Sequence, residues 1–133
     1  MLEHERWLAR AQEDLNAAKL FLKHKSFYGI ADHCHQAAEK VLKAYLVFTN
    51  QEIVATRDLI ELGNLCKKFD QDFQELAATY ENLNPYADEF WYHTILDIPE
   101  QAETELAIKH AESIMRLVLK KISEPIIGQN EIR

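Results

Sequence analysis

The sequence has little of what makes turns and cross-links. Its 133 residues include only three glycines, three prolines and two cysteines. So little Gly and Pro excludes collagen-like and low-complexity chains. It also argues against a sandwich of many short strands, which needs a turn after each strand. Two cysteines, Cys34 and Cys66, are too few for a disulfide scaffold. No apolar run approaches the roughly 18 residues of a membrane span. The first ten residues carry Glu3 and Glu5 and no apolar stretch, unlike a secretory signal peptide. The expectation is a soluble, cytoplasmic protein.

Basic residues are missing from one long stretch. Between Phe69 and Ile108 there is no Lys or Arg, while ten acids occur, and the whole chain carries a net charge of -7. Salt-driven binding of nucleic acid over the whole surface is therefore not expected, although the first half can still hold a local basic site. The acidic stretch reads either as a solvated face or as a surface for a basic partner. The hydrophobic fraction, 47%, is ordinary and suits one domain with its own core.

What is present is helical periodicity. Leu8, Leu15 and Leu22, with Ala11 and Ala18 between them and Trp7 beside, mark one apolar stripe over residues 3–25. Gly29 interrupts it. A second helix is predicted from Phe27 or Tyr28 to Phe48, with Ile30, Cys34, Ala37, Val41, Ala44 or Tyr45, and Phe48 on its apolar side. A third starts near Thr56 as N-cap and carries Leu59, Leu62, Leu65 and Cys66, with Gly63 as an internal weakness. Asp70 caps a fourth with Phe73, Leu76, Ala77 and Tyr80. Asn84-Pro85 restarts the chain into a short aromatic piece, Tyr86 to His93. A last helix runs from about Pro99 to Ile122, acidic at its start and basic at its end, and carries Leu106, Ala107, Ala111, Ile114, Met115, Val118 and Ile122 on its apolar side. The expected fold is all-α: an up-and-down antiparallel bundle of four to five helices over residues 1–123, followed by a mobile tail over 124–133.

Several chemical signatures are absent. There is no Gly-rich phosphate loop, no Cys-x-x-Cys and no Glu-x-x-His. His33 and His35 are two apart and point to different sides of a helix, so they do not share a metal. Cys34 lies on the apolar stripe and reads as core. No metal and no cofactor is expected. The informative segment is the second helix. Its apolar side is rich in Ala, which lets a neighbouring helix come close, and its polar side gathers His33, Gln36, Glu39, Lys40 and Lys43. His35 and Glu39 form an i, i+4 pair able to hydrogen-bond.

The run His35-Gln36-Ala37-Ala38-Glu39-Lys40-Val41-Leu42-Lys43-Ala44-Tyr45-Leu46 resembles the signature helix of the HEPN domain family (higher eukaryotes and prokaryotes nucleotide-binding). Ala11, Asp14, Leu15 and Ala18 are similar to that family's Ala-x-x-Asp-Leu-x-x-Ala pattern in helix one. Ala107, Ala111, Ile114 and Val118 fit its closing helix. The resemblance spans about residues 5–122. It implies a helical bundle that commonly homodimerises and works around nucleotides or RNA. For the minimal prokaryotic type it implies a small nucleotidyltransferase partner, often as a toxin–antitoxin pair.

Active members of the family are metal-independent ribonucleases with an Arg-x4–6-His motif. Here Arg6, Arg10, Arg57, Arg116 and Arg133 have no histidine four to seven residues downstream. Arg57 stands where the family's third helix often opens with His. Trp91-Tyr92-His93-Thr94 stands where it often has Arg-Tyr-Pro. Arg57 and His93 are therefore the candidate catalytic pair, expected to lie near each other and near the polar face of the second helix. Lys40 and Lys43 are the candidate phosphate contacts, and His35, Gln36 and Glu39 the candidate recognition or dimer-seam residues. The leading expectation is a homodimeric nucleotide-binding and interaction module without ribonuclease activity. The alternative is a divergent ribonuclease taking Arg57 and His93 or His35 from separate helices, since active sites are defined by geometry rather than chain order.

Overall fold

The computed structural model describes residues 1–87 and 99–124, and within them the chain is helical with no strand. Helix α1 spans Glu3–Lys23. The Leu2 N–H donates to the Glu5 carboxylate at 2.8 Å, giving one of the helix's unpaired N-terminal donors a partner. Ala11, Leu15 and Ala18 are buried, and so is Asp14. Lys25, with φ 56°, turns the chain out of α1, and the Ser26 N–H returns to the Phe21 carbonyl at 2.8 Å.

Helix α2 spans Ile30–Phe48. It begins later than Phe27 or Tyr28 because Gly29 takes a left-handed φ of 84°, which glycine adopts without strain and an α-helix cannot contain. His4 packs edge-on against Phe48, and Phe21 lies beside His33, so α1 and α2 form an antiparallel hairpin. No residue of α2 is exposed. Ala37, Ala38 and Ala44 have no accessible surface, as their small size predicts for a helix enclosed by neighbours.

The segment 49–58 returns along α2. Arg57 then sits beside Glu39, and the Cys66 thiol reaches the Leu42 carbonyl, so helix α3, Leu59–Lys67, follows the direction of α2. Its N-cap is Asp58, not Thr56. The Asp58 carboxylate accepts from the Ile60 and Glu61 N–H groups at 2.9 and 3.3 Å, whereas the Thr56 hydroxyl accepts from Asp58 N–H one step earlier.

Asp70 is a cap, as expected, but the helix it caps begins in 3-10 form, Gln71–Leu76. It becomes helix α4 only over Ala77–Leu83. α3 and α4 pair as a second antiparallel hairpin, with Gly63 against Tyr80 and Asp58 against Asn84. Asn84-Pro85 opens a further 3-10 turn, Asn84–Ala87. The rest of the predicted aromatic piece lies outside the described residues, as does the tail beyond Glu124. Helix α5, Gln101–Ser123, runs beside α2. One buried cluster takes residues from each of the five described α-helices and from the 3-10 segment Gln71–Leu76, with Leu15, Leu42, Leu62, Phe73, Leu83 and Ile114 among its members. No helix among the described residues is long and apolar enough to cross a membrane.

Candidate functional site

The polar side of α2 is built by its own periodicity. Asp32, Gln36, Glu39 and Lys43 step by four and three along one stripe, while His33 and Lys40, seven apart, form the edge toward α1. Each stripe meets a different neighbour, and each meeting is ionic.

At the α1 edge the centre is Asp14. One carboxylate oxygen takes the His33 Nδ1 at 2.9 Å and the other the Lys40 ammonium at 2.5 Å. Asp14 is buried and its partners are half-buried. A buried carboxylate is tolerated only when its lone pairs are used, and here both oxygens are. Asp14 was legible as part of a family pattern but not as a site residue. The missed signal is an acid inside the stripe Ala11–Leu15–Ala18, which demands a cationic partner from the facing helix.

Along the second stripe Asp32 accepts from Gln36 at 2.7 Å and lies 3.9 Å from the Arg57 guanidinium. Glu39 takes the Lys43 ammonium at 2.9 Å and Arg57 Nε at 3.3 Å, and Arg57 also donates to the Ala87 carbonyl at 3.4 Å. Arg57 thus ties the segment before α3 to α2 and to the 3-10 turn after α4. Lys43 is buried with its charge matched, whereas the Arg57 side chain is 45% exposed.

His35 differs from the expectation. It is fully buried, and neither ring nitrogen has a hydrogen-bond partner among the described residues, so the anticipated His35–Glu39 hydrogen bond does not form. Glu39 is instead committed to Lys43 and Arg57. Burial, and then the nearby Arg57 guanidinium, push the His35 pKa below the usual imidazole range. The Glu39 and Asp32 carboxylates and the Arg57 backbone oppose this without reversing it. His33 points away toward Asp14, so the two histidines diverge as helix geometry requires.

The structure places Arg57 at the polar face of α2, against Glu39 and Asp32. His93 lies outside the described residues. Of the candidate contacts, Lys40 and Lys43 both sit on carboxylates, Gln36 is half-buried on Asp32, and His35 is enclosed. Cys34 and Cys66 are core residues, their thiols pushed by burial up to about 12 and so unreactive at neutral pH. Among the described residues no three His, Cys, Asp or Glu side chains gather as metal ligands would.

A second polar anchor lies at the far end. Lys121 of α5 meets Asp72 at 2.5 Å, Asp70 at 2.9 Å and Glu124 at 3.3 Å, contacts that raise its pKa and hold it charged.

In comparison with known families, the model described as the HEPN domain aligns with residues 4–122. No curated protein and no solved structure matches the chain.

Proposed function

The chain belongs to the HEPN domain family, and from that membership we propose that it is a nucleotide-binding and interaction module that does not itself cut RNA. In this reading it forms a homodimer and works beside a small nucleotidyltransferase partner, as one half of a toxin–antitoxin-like pair. The observation that carries the reading is the pairing of the basic groups on and beside α2. Lys40 is on Asp14, Lys43 on Glu39, and Arg57 on Glu39 and Asp32. A metal-independent ribonuclease needs a guanidinium free to hold the scissile phosphate and an imidazole able to move a proton beside it. Arg57 already faces two carboxylates that would repel a phosphate, and His35, the imidazole enclosed near it, has no accessible surface. The missing Arg-x4–6-His motif supports the same conclusion. The acid-only stretch between Phe69 and Ile108 suits a basic protein surface better than RNA.

The test is incubation of the purified chain with RNA in the absence of metal, beside light scattering of the protein alone and with a co-expressed nucleotidyltransferase-domain protein. Intact RNA, a dimer and a stable complex are expected. RNA cleavage that disappears in both Arg57→Ala and His93→Ala would move the protein to the ribonucleases.

A further inference from the structure

Arg6 and Arg10 stand apart from the paired cations of α2. Both are exposed on the outer face of α1, one turn from each other, and neither side chain has an ion pair or hydrogen bond among the described residues. On the flank of that row lies Trp7, half-buried, its indole N–H also without a hydrogen-bond partner among those residues. Together with Glu3, one turn earlier, these side chains line an open cavity of about 290 Å³. That volume is at the lower end for small-ligand sites.

The chemistry of these four side chains is specific in combination. Two guanidiniums spaced by one helical turn are within reach of a single phosphate, the anion for which planar bidentate donors are best suited. An indole beside them offers an apolar, electron-rich face, on which a nucleobase stacks whatever its sequence. The Glu3 carboxylate has only acceptors, so it opposes a second phosphate but takes a hydrogen bond from a ribose hydroxyl or an exocyclic amine. The chain as a whole is acidic. This patch is therefore a local exception in the field of the molecule, and anions reach it against a repulsive background.

We propose that Glu3, Arg6, Trp7 and Arg10 form a binding site for one phosphorylated nucleoside, with the base on Trp7, the phosphate between Arg6 and Arg10, and the sugar or base edge toward Glu3. The site is separate from the α2 face, and it deepens the nucleotide-handling part of the function proposed above. The same chemistry is supplied by a free nucleotide or by one residue of a single-stranded RNA.

Calorimetric titration of the full chain with AMP, adenosine, inorganic phosphate, tetra-adenylate RNA and an oligoglutamate peptide tests it. AMP is expected to bind in saturable fashion, more tightly than adenosine or phosphate. The Arg6→Ala/Arg10→Ala variant is expected to weaken binding by about tenfold or more, with an unchanged melting temperature because both side chains are exposed. Trp7→Leu is expected to erase the difference between AMP and phosphate. A much tighter tetra-adenylate complex with the same dependence on these residues assigns the site to RNA; comparable affinities assign it to free nucleotide. No saturable binding of either, equal binding by the double variant, or tighter binding of oligoglutamate overturns the site. If the chain still pairs with a nucleotidyltransferase and spares RNA, this site has failed alone. If nucleotide binds through Arg6 and Arg10 but neither dimer nor partner complex forms, the site stands and the wider reading fails.

Discussion

At the scale of the residue, His35 is the most informative side chain. Its ring is fully buried, and its one polar contact, to the Arg57 backbone, falls short of a well-formed hydrogen bond, so the imidazole is poorly satisfied there. Its pKa is lowered in the folded state, so the unfolded chain binds a proton more readily. Stability is then fully present above the unfolded imidazole value of about 6.5 and is lost as pH falls below it toward the folded value. Half-buried His110, lowered by burial alone, adds to the same slope. His35→Leu should raise stability at pH 7.5 by up to about 1 kcal/mol, since it replaces a poorly satisfied polar ring with an apolar side chain. It should also remove most of the acid-side decline. Denaturant titrations at pH 7.5 and 5.5 check both effects, and a variant as pH-sensitive as the wild type would place the linkage elsewhere. Gly63 makes the complementary case. A Cβ there would collide with Tyr80 Cε2 and lie 2.7 Å from Cδ2, against the edge of the ring. Gly63→Ala should cost about 1–3 kcal/mol by overpacking, and less in a Tyr80→Leu background, where the obstructing ring is gone. Equal costs in the two backgrounds would show that the ring is not the cause. The glycine that weakened the prediction of α3 is thus present because another helix's aromatic ring occupies its side-chain space, a fact of packing that no local pattern carries.

At the scale of the element, much was legible because it is periodic. The apolar stripes of α1, α2 and α5 follow a 3.6-residue repeat, and their buried faces are the expected ones except at Leu106 of α5, which is exposed. The ends were less legible because they depend on single backbone conformations and competing caps: Gly29 delays α2, and Asp58 takes the cap from Thr56. Asp58 accepts three donors, the Ile60 and Glu61 N–H groups and the Asn84 side-chain amide, while Asn84 accepts from Leu59 N–H at 2.9 Å. Asp58→Ala should cost about 1–2 kcal/mol, the upper range for a lost N-cap, because the link to Asn84 goes with it. A change within error in chemical denaturation would show that water replaces the carboxylate. The candidate site was half legible for a related reason. The α2 side of each ion pair could be read from spacing, but its partners, Asp14 and Arg57, come from other elements, and pairing across elements is tertiary. Asp14→Asn keeps the shape and removes the charge that neutralises Lys40. A loss of about 2–3 kcal/mol is expected, near the low end for breaking a buried pair because Lys40 keeps some contact with water. A smaller loss than that of Asp58→Ala would argue that Asp14 is spared from structural work and serves a ligand instead.

At the scale of the whole molecule, the question is whether the two hairpins and α5 form one unit or several. The buried cluster is continuous from Ala11 in α1 to Val118 in α5, and its largest share comes from the enclosed α2. α5 is the last of the described helices yet covers α2, so the shared core is closed only when it docks. Lys121 fixes that docking by joining α5 to Asp70 and Asp72 at the start of the short 3-10 helix, while Lys19 of α1 meets Glu112 of α5 at 2.7 Å. The Lys19 pair is half-exposed and contributes little on its own. The Lys121 side chain, 12% exposed and shared by three carboxylates, leaves unmatched charge when removed. Lys121→Ala should therefore destabilise the protein by about 1–2 kcal/mol, more than an ordinary surface pair. With one shared core, that loss should appear as a shift of a single midpoint. Helix content by circular dichroism and aromatic fluorescence should move together. Ala38→Leu, which overpacks the fully buried centre of α2, should displace the same transition by about 1–3 kcal/mol. If Lys121→Ala instead separates an early loss of α5 from later melting of the α1–α2 hairpin, the hairpin carries its own stability. The polar seam around Asp14 would then persist without the rest of the bundle.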